Sequence, residues 1–464
     1  MFRPKNTLPK ARGALGQERV GFLSAALRGG PRLLLSLFIW GLANLISGQI
    51  IKGLLFLFLE IAFLIFLFAP SGGIASIALL PSLGDTPQGE VWNEELGIYE
   101  YTQGDNSQLI LLYGIASICL TLLFILVWRS SVISGYKALC KKRRGEAVPS
   151  FSQDIRALFD ERVHLTLMTP PTAFLAVFTV LPLIYMMAMA FTDFSREGDR
   201  LVLFDWVGFR NFLAVLNSGS ALGKQFWSVL GWTLVWAFFA TFLNFFLGTL
   251  LAMLINRHTL RLKGLWRTVL ATTIAVPQFV SLMVVRSMLQ PQGILNRMLE
   301  GAGLISSPLP FLTDTVWARV LVITVNLWIG IPYTILQVTG VLNNIPKEQY
   351  NAAKVDGCTP IQTFFHVTLP YMMFVLTPYL ITQFTGNINN FNVIYLLTRG
   401  EPATVGNTAG DTDLLITWLY KLSVDQQKYN IAAVIGILTF IVLSVVALIT
   451  YRNSGSYKNE EGFK

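Results

Sequence analysis

The sequence predicts an all-α integral membrane protein of about eight transmembrane helices, and three observations carry that reading. Of its 464 residues, 53% are hydrophobic and only 13% are charged, where soluble domains carry roughly 25% charge. Several apolar runs reach the ~20 residues that a helix needs to cross a bilayer. Those runs are continuous rather than alternating, so they read as helices and not as strands of a barrel.

The spans fall at approximately 51–69, 109–128, 167–191, 228–255, 265–289, 318–341, 371–396 and 430–451. Loop charge sets their direction, because basic residues stay on the cytoplasmic side. The segment ahead of the first run carries Arg3, Lys5, Lys10, Arg12, Arg19, Arg28 and Arg32 and is expected inside. Loop 70–108 holds Asp85, Glu90, Glu94, Glu95, Glu100 and Asp105 without any Lys or Arg, and is expected outside. One crossing must separate them. Hence 51–69 spans, while the stretch 33–49, diluted by Gly41, Asn44, Ser47, Gly48 and Gln49, lies in the interface or re-enters. Lys141, Lys142, Arg143 and Arg144 place loop 129–166 inside, and Arg257, Arg261 and Lys263 do the same for 256–264. Loops 290–317 and 397–429 are more acidic and read as outside; 192–227 is mixed. Both termini are then expected in the cytoplasm. The N-terminus does not have the form of a signal peptide, because a long basic stretch precedes the first apolar run.

This organisation divides the chain into a basic N-terminus (1–32), a unit with two transmembrane helices (33–138), a polar linker (139–165), a six-helix core (166–451) and a polar tail (452–464). The net charge of +9 follows from the cytoplasmic loops. No basic patch is interleaved with aromatics, so nucleic acid is not an expected partner. Cys119, Cys140 and Cys358 are far apart, match no metal or disulfide spacing, and read as small apolar filler. His164, His258 and His366 fall near span ends without an i, i+4 pair, so neither a metal site nor an enzyme is indicated. No G-x-x-x-x-G-K-[ST] phosphate loop occurs, so a transporter built on this chain draws ATP energy from a partner. The competing class is an ion-driven secondary transporter. It needs paired Asp, Glu or His near mid-depth, and the core spans almost lack them. Glu60 and Arg286 are read as structural, Arg286 by snorkelling to the surface. Pro277, Pro332 and Pro378 are expected to kink their spans.

One segment, Ile345 to Pro370, is neither span nor ordinary loop. It reads as two short helices broken at Gly357. Pro346 suits a helix start. Gly357 suits a left-handed C-terminal stop. Thr359, Pro360 and Gln362 form an N-cap, a first-turn proline and a capping box. Such a helix–turn–helix is a rigid handle joined directly to the sixth and seventh spans.

The pattern Ala352-Ala353, Gly357 and Leu369-Pro370 resembles the EAA loop of ABC-importer permeases. That resemblance implies a coupling helix that docks on a separate ATPase dimer, which binds the ATP and Mg; this chain itself is expected to bind no cofactor. Glu348, Asn351, Ala352, Ala353, Asp356, Gly357 and Phe364 are the implied ATPase-coupling positions. The family usually has Glu where this chain has Asn351. Glu348, three residues earlier on the same helical face, is expected to take over its contact. His366 stands where the family often has a basic residue.

The runs Asn326–Tyr333, Asn387–Phe391 and Thr412–Leu415 further resemble the larger permease subunit of maltose/maltodextrin importers, over roughly 167–451. This implies a prokaryotic cell-membrane protein. The implied partners are a second permease subunit, an ATPase dimer, an extracytoplasmic sugar-binding protein and an oligosaccharide, working by alternating access. The residues agree. Asn326, Gly330 and Tyr333 lie at i, i+4 and i+7 on one face of the sixth span, and Gln383, Asn387 and Asn390 repeat this on the seventh. Neutral amides suit sugar hydroxyls. Tyr333 and Phe391 offer ring surfaces, and Gly330 leaves room for a sugar ring. Ile329 and Gly386 complete the substrate-binding set in the same segments. Relatives have an aromatic at Gly386 and a small hydroxyl residue at Gln383, which suggests a wider pocket here. Interhelical amide hydrogen bonding accounts for the same spacing, and both readings stay open at this point.

Overall fold

The protein is described by a computed structural model covering residue 22 and residues 30–94, 97–257 and 261–453. Most of the basic N-terminal stretch, Glu95, His258 and the tail from 454 lie outside the described residues. The chain is an all-α integral membrane protein. Among the described residues, seven helices are long and apolar enough to cross a membrane, and an eighth span arises if one bent helix pair is counted. The chain divides into two compact units, Met1–Tyr185 and Met186–Lys464. The division falls within the third span, no part of whose most apolar stretch is buried.

In the first unit, 33–49 forms two short helices, α1 (Pro31–Phe38) and α2 (Leu42–Ile46). They pack on the spans α3 (Ile50–Phe68) and α5 (Ser107–Arg143). Neither short helix can cross a bilayer. The break between them exposes backbone donors that need partners in an apolar setting. Glu60 of α3 accepts from Trp40 N at 2.8 Å, and Ser131 Oγ of α5 accepts from Gly41 N at 2.9 Å. The intramembrane carboxylate therefore has the structural task expected of it. Loop 70–108 is not purely helical: after α4 (Gly73–Ala78), strands β1 (Gly89–Asn93) and β2 (Ile98–Thr102) form an antiparallel hairpin. Beyond α5, α6 (Phe151–Phe159) starts at a Ser150–Gln153 capping box. The third span is α7 (Val163–Leu175), a π-turn at Ala176–Val180 and α8 (Leu181–Met189).

The second unit begins with the short α9 (Arg210–Leu216). The fourth span follows as α10 (Ala221–Phe238), a π-turn at Phe239–Leu243 and α11 (Asn244–Asn256). The fifth is the bent pair α12 (Lys263–Ala275) and α13 (Gln278–Met288), turned by 87° at Pro277. The expected kink is here a break. Pro332 and Pro378, by contrast, lie within continuous helices. After α14 (Ile294–Gly301) come the sixth span α15 (Thr315–Asn344), then α16 (Lys347–Val355) and α17 (Pro360–Thr363). The seventh span, α18 (Leu369–Ile388), follows a π-turn at Phe364–Thr368. Helices α19 (Phe391–Leu397), α20 (Leu415–Tyr420) and α21 (Tyr429–Asn453) complete the unit.

Two contacts organise the second unit. Helices α11 and α15 cross closely because Gly330 lacks a Cβ: one built there would lie 2.5 Å from Asn244 Nδ2. Small residues at such crossings let backbones approach in the absence of a hydrophobic drive between helices. The second contact is the Thr412–Leu415 turn. Thr412 O accepts from Trp232 Nε1 at 3.2 Å, and Leu415 N donates to Thr233 Oγ1 at 3.1 Å, which joins α20 to α10. Asp413 has no exposed surface and accepts from Lys421 Nζ at 2.6 Å and Gly410 N at 2.7 Å. Burial pushes its carboxyl above the ordinary carboxylate range, and Lys421 pulls against that shift.

Two stability effects are expected. Gly330→Ala overpacks the α11–α15 crossing and costs about 1–3 kcal/mol. Adding Asn244→Ala relieves most of that loss, read as recovery of the melting midpoint in detergent; an unrescued double variant contradicts the contact. Lys421→Met leaves a buried carboxylate uncompensated and costs about 3–5 kcal/mol at neutral pH. Because the folded state then holds the Asp413 proton more tightly than the unfolded chain, the defect grows as pH rises and shrinks toward acid. A melting defect of constant size across pH argues against this pairing.

Candidate functional site

A cavity of about 610 Å³ opens inside the second unit. Its walls come from the π-turn before α11, the break in the fifth span, the middle of α15 and the end of α18. The sequence singled out Asn326, Ile329, Gly330, Tyr333, Gln383, Asn387 and Asn390, and all of them line this space. Gly386 does not line it, and a Cβ added there would meet nothing within 4 Å. Phe391 does not line it either: its ring stacks on Tyr395 at 4.8 Å and meets Tyr420 edge-on at 5.0 Å. The space over Gly330 belongs to the Asn244 amide, so glycine there admits a neighbouring helix rather than a sugar ring.

The lining contains no charged side chain among the described residues. Its polar groups divide by task. Asn387 is structural: its Nδ2 donates to Thr241 Oγ1 at 3.0 Å, and its main-chain oxygen accepts from Trp236 Nε1 at 3.0 Å. Asn390 caps α19 by accepting from Val393 N at 3.2 Å. Thus the interhelical reading of the amides holds for Asn387. It does not extend to Asn326, Gln278, Gln337 and Gln383, whose side chains have no hydrogen-bond partner among the described residues. Asn326 is 6% exposed as a residue, with its amide open to the cavity, while Asn244 Oδ1 in the same lining is fully buried without a partner among the described residues, a state that carries a desolvation cost. Trp328, Tyr333 and Tyr379 supply aromatic surface.

The sequence reading missed the contributions of Thr241, Asn244, Gln278, Ser281 and Gln337. Thr241 and Asn244, three apart in an apolar span, were a usable signal. Gln278 and Ser281 reach the cavity only because the fifth span breaks at Pro277.

The segment 345–370 folds as an elbow. Pro346 precedes α16 as its N-cap residue. At the other end Cys358 N donates to Ala353 O at 2.9 Å and Gly357 N to Lys354 O at 3.1 Å, with Gly357 at φ +75°. This pairing of the last free carbonyls is a Schellman stop, which needs the left-handed residue that glycine tolerates. Thr359 and Gln362 form the capping box of α17. Tyr350 OH and Thr368 Oγ1 share a hydrogen bond of 3.2 Å, tying α16 to the base of α18. Of the positions expected to couple to an ATPase, Ala353 is buried and serves packing. Glu348, Asn351, Ala352, Asp356 and Gly357 are exposed, and Phe364 is half-buried with its ring against Phe365. Val355, Ile361 and Phe365, which the sequence reading did not single out, are 88%, 70% and 56% exposed. His366 Nδ1 lies 2.9 Å from Gln362 O, a local contact.

Known proteins resemble this chain. Residues 244–455 match the family described as binding-protein-dependent transport system inner membrane component. The chain is 33% identical to the galactooligosaccharides transport system permease protein GanP of Bacillus subtilis, over 92% of this chain and 98% of that one. It is 33% identical to the maltodextrin transport system permease protein MdxF of the same organism, over 91% and 95%. Against the maltose/maltodextrin transport system permease protein MalF of Escherichia coli, it is 35% identical over 53% of this chain and 48% of that one. A chain in the crystal structure of a bacterial ABC transporter involved in the import of alginate shares the fold, with a TM-score of 0.53 at 24% identity, covering 64% of this chain and 96% of that chain. A membrane-spanning core around an uncharged cavity, carrying a capped elbow between two of its spans, thus has relatives over nearly its whole length, and the chain belongs to the family of binding-protein-dependent transport system inner membrane components, permease subunits of ABC importers.

Proposed function

We propose that this permease subunit carries a neutral oligosaccharide of the maltodextrin or galactooligosaccharide type through the cavity around Asn326. The observation that carries the reading is a space of about 610 Å³ lined by unpartnered amides and aromatic rings, with no charge among the described residues. Amides donate to and accept from hydroxyls without attracting an ion. Aromatic rings cover the apolar faces of a sugar, and the names of the relatives GanP and MdxF support the substrate class. Loop charge supports an orientation with both termini in the cytoplasm. In that orientation the elbow 345–370 faces a separate ATPase dimer, which supplies ATP hydrolysis that this chain does not perform. A second permease subunit completes the pathway and an extracytoplasmic binding protein delivers the sugar. Closure of the ATPase dimer moves the elbow, and the cavity alternates between the two sides.

Each half of this reading has its own test. In proteoliposomes containing the complete transporter, Asn326→Ala and Gln383→Ala each remove a hydrogen bond worth about 0.5–1.5 kcal/mol and raise the sugar KM about three- to tenfold. Unchanged uptake of both maltodextrins and galactooligosaccharides by both variants places the site elsewhere. Glu348→Ala is expected to weaken co-purification of the ATPase subunit and slow transport while leaving the KM for sugar unaltered. Full association and full transport in that variant reject Glu348 as the coupling carboxylate.

A further inference from the structure

Within the first unit, a cavity of about 460 Å³ lies between the start of α3, the basic end of α5 and the segment 149–162. Its lining sets Lys52, Lys137, Lys141 and Arg162 against one carboxylate, Asp154. Lys52 Nζ holds Asp154 at 2.9 Å, and Gln49 Nε2 donates to Pro149 O at 2.9 Å, so the outer wall is pinned to α3. Among the described residues, Lys137, Lys141 and Arg162 form no ion pair. Lys137 and Lys141 stand one turn apart on the same face of α5, where like charges repel. An anion between them turns that repulsion into attraction.

Beside the polar Gln49, Ser130 and Ser134, the lining also carries an apolar set, Phe56, Ile133, Ile155 and Leu158. Position explains the combination. Lys52 is in the first turn of the 19-residue span α3, at the edge of the hydrocarbon. Helix α5 has 37 residues, about 55 Å of helix against a hydrocarbon core of about 30 Å. Its basic last turns therefore project beyond the apolar layer. Beside them α6 exposes Ile155, Leu158 and Phe159, as an interfacial helix does. An occupant must bring negative charge and hydrocarbon to one place. Free phosphate satisfies only the cations, and an acidic protein surface leaves the apolar wall bare.

We propose that this cavity binds the headgroup of an anionic phospholipid, with its acyl chains along Phe56 and Ile133. The site is separate from the sugar cavity and does not depend on it. Native mass spectrometry of the full-length chain, purified in detergent and supplied with phosphatidylglycerol or phosphatidylcholine, tests it. Retention of phosphatidylglycerol should exceed that of phosphatidylcholine by at least about tenfold, and each cation removed should lower it about fivefold. Lys137→Gln, Lys141→Gln and Arg162→Gln combined should therefore abolish the preference at an unchanged melting midpoint. Arg144→Gln with Arg156→Gln, outside the lining, should keep it. Equal retention of the two lipids overturns the proposal. So does displacement by millimolar inorganic phosphate, which identifies a simple phosphate site. Loss of a co-expressed ATPase subunit by the triple variant, with lipid preference intact, overturns it in favour of a protein contact.

Discussion

Asn387 joins two spans inside the second unit, lining the cavity while its side chain and main-chain oxygen are both held by protein partners. Its side chain donates to Thr241 and its main-chain oxygen accepts from Trp236, so α18 is bound to the end of α10 and to the π-turn that follows it. In hydrocarbon each of these groups, if unpaired, carries a desolvation cost that a soluble protein avoids by hydration. The π-turn is part of the arrangement. Its residues Ala240 and Thr241 line the cavity, and Thr241 at the same time accepts from Asn387. Asn387 Oδ1 then accepts from Asn390, which caps α19. Asn387 and Asn390 thus spend their amides on protein partners, whereas the side chains of Asn326, Gln278, Gln337 and Gln383 have no such partner among the described residues.

The same helices carry the mechanics. Helix α15 holds Asn326 and Tyr333 in its middle, and α18 holds Gln383 and Asn387 toward its far end. Both run back to the elbow. From Gly330 to Lys347 the distance along the helix is roughly 25 Å at 1.5 Å per residue. Under the proposed coupling, a displacement of the elbow would travel along two stiff rods, because α16 is locked at one end by the Schellman stop and against the base of α18 by Tyr350. The exposed apolar surface of Val355, Ile361 and Phe365 is the part of the elbow that the proposed docking would cover, without drawing on the helix interior.

What could be read from the sequence follows from how local each determinant is. The spans were legible because hydropathy is a property of the segment alone. The elbow was legible nearly to the residue: Gly357, Thr359 and Gln362 interact with backbone only a few positions away. Residues Asn326, Tyr333 and Asn390, which line the cavity, were singled out through helical spacing and resemblance, which place side chains on a face but not against a particular neighbour. The tasks of Gly330 and Phe391 were misread for that reason. A glycine that admits Asn244 and one that admits a ligand look alike until the second helix is in place. The Asp413–Lys421 pair was hidden as well, since it closes through a helix start and into a π-turn rather than at i, i+4 spacing.

Irregular backbone and polar side chains occur together here for one reason. A helix can break in a bilayer only where protein or a water-filled cavity receives the freed backbone groups. The fifth span breaks at Pro277, and Thr273, Ile274, Val276, Gln278 and Ser281 around that break all line the cavity. The break and the cavity therefore support each other. Without the cavity the bend leaves backbone groups in lipid, and without the bend Gln278 and Ser281 belong to a continuous helix. A transport cycle that opens and closes this space must change the angle of some wall. The fifth span has already given up its helical continuity at Pro277, so it bends there at lower cost than a continuous helix such as α15 or α18.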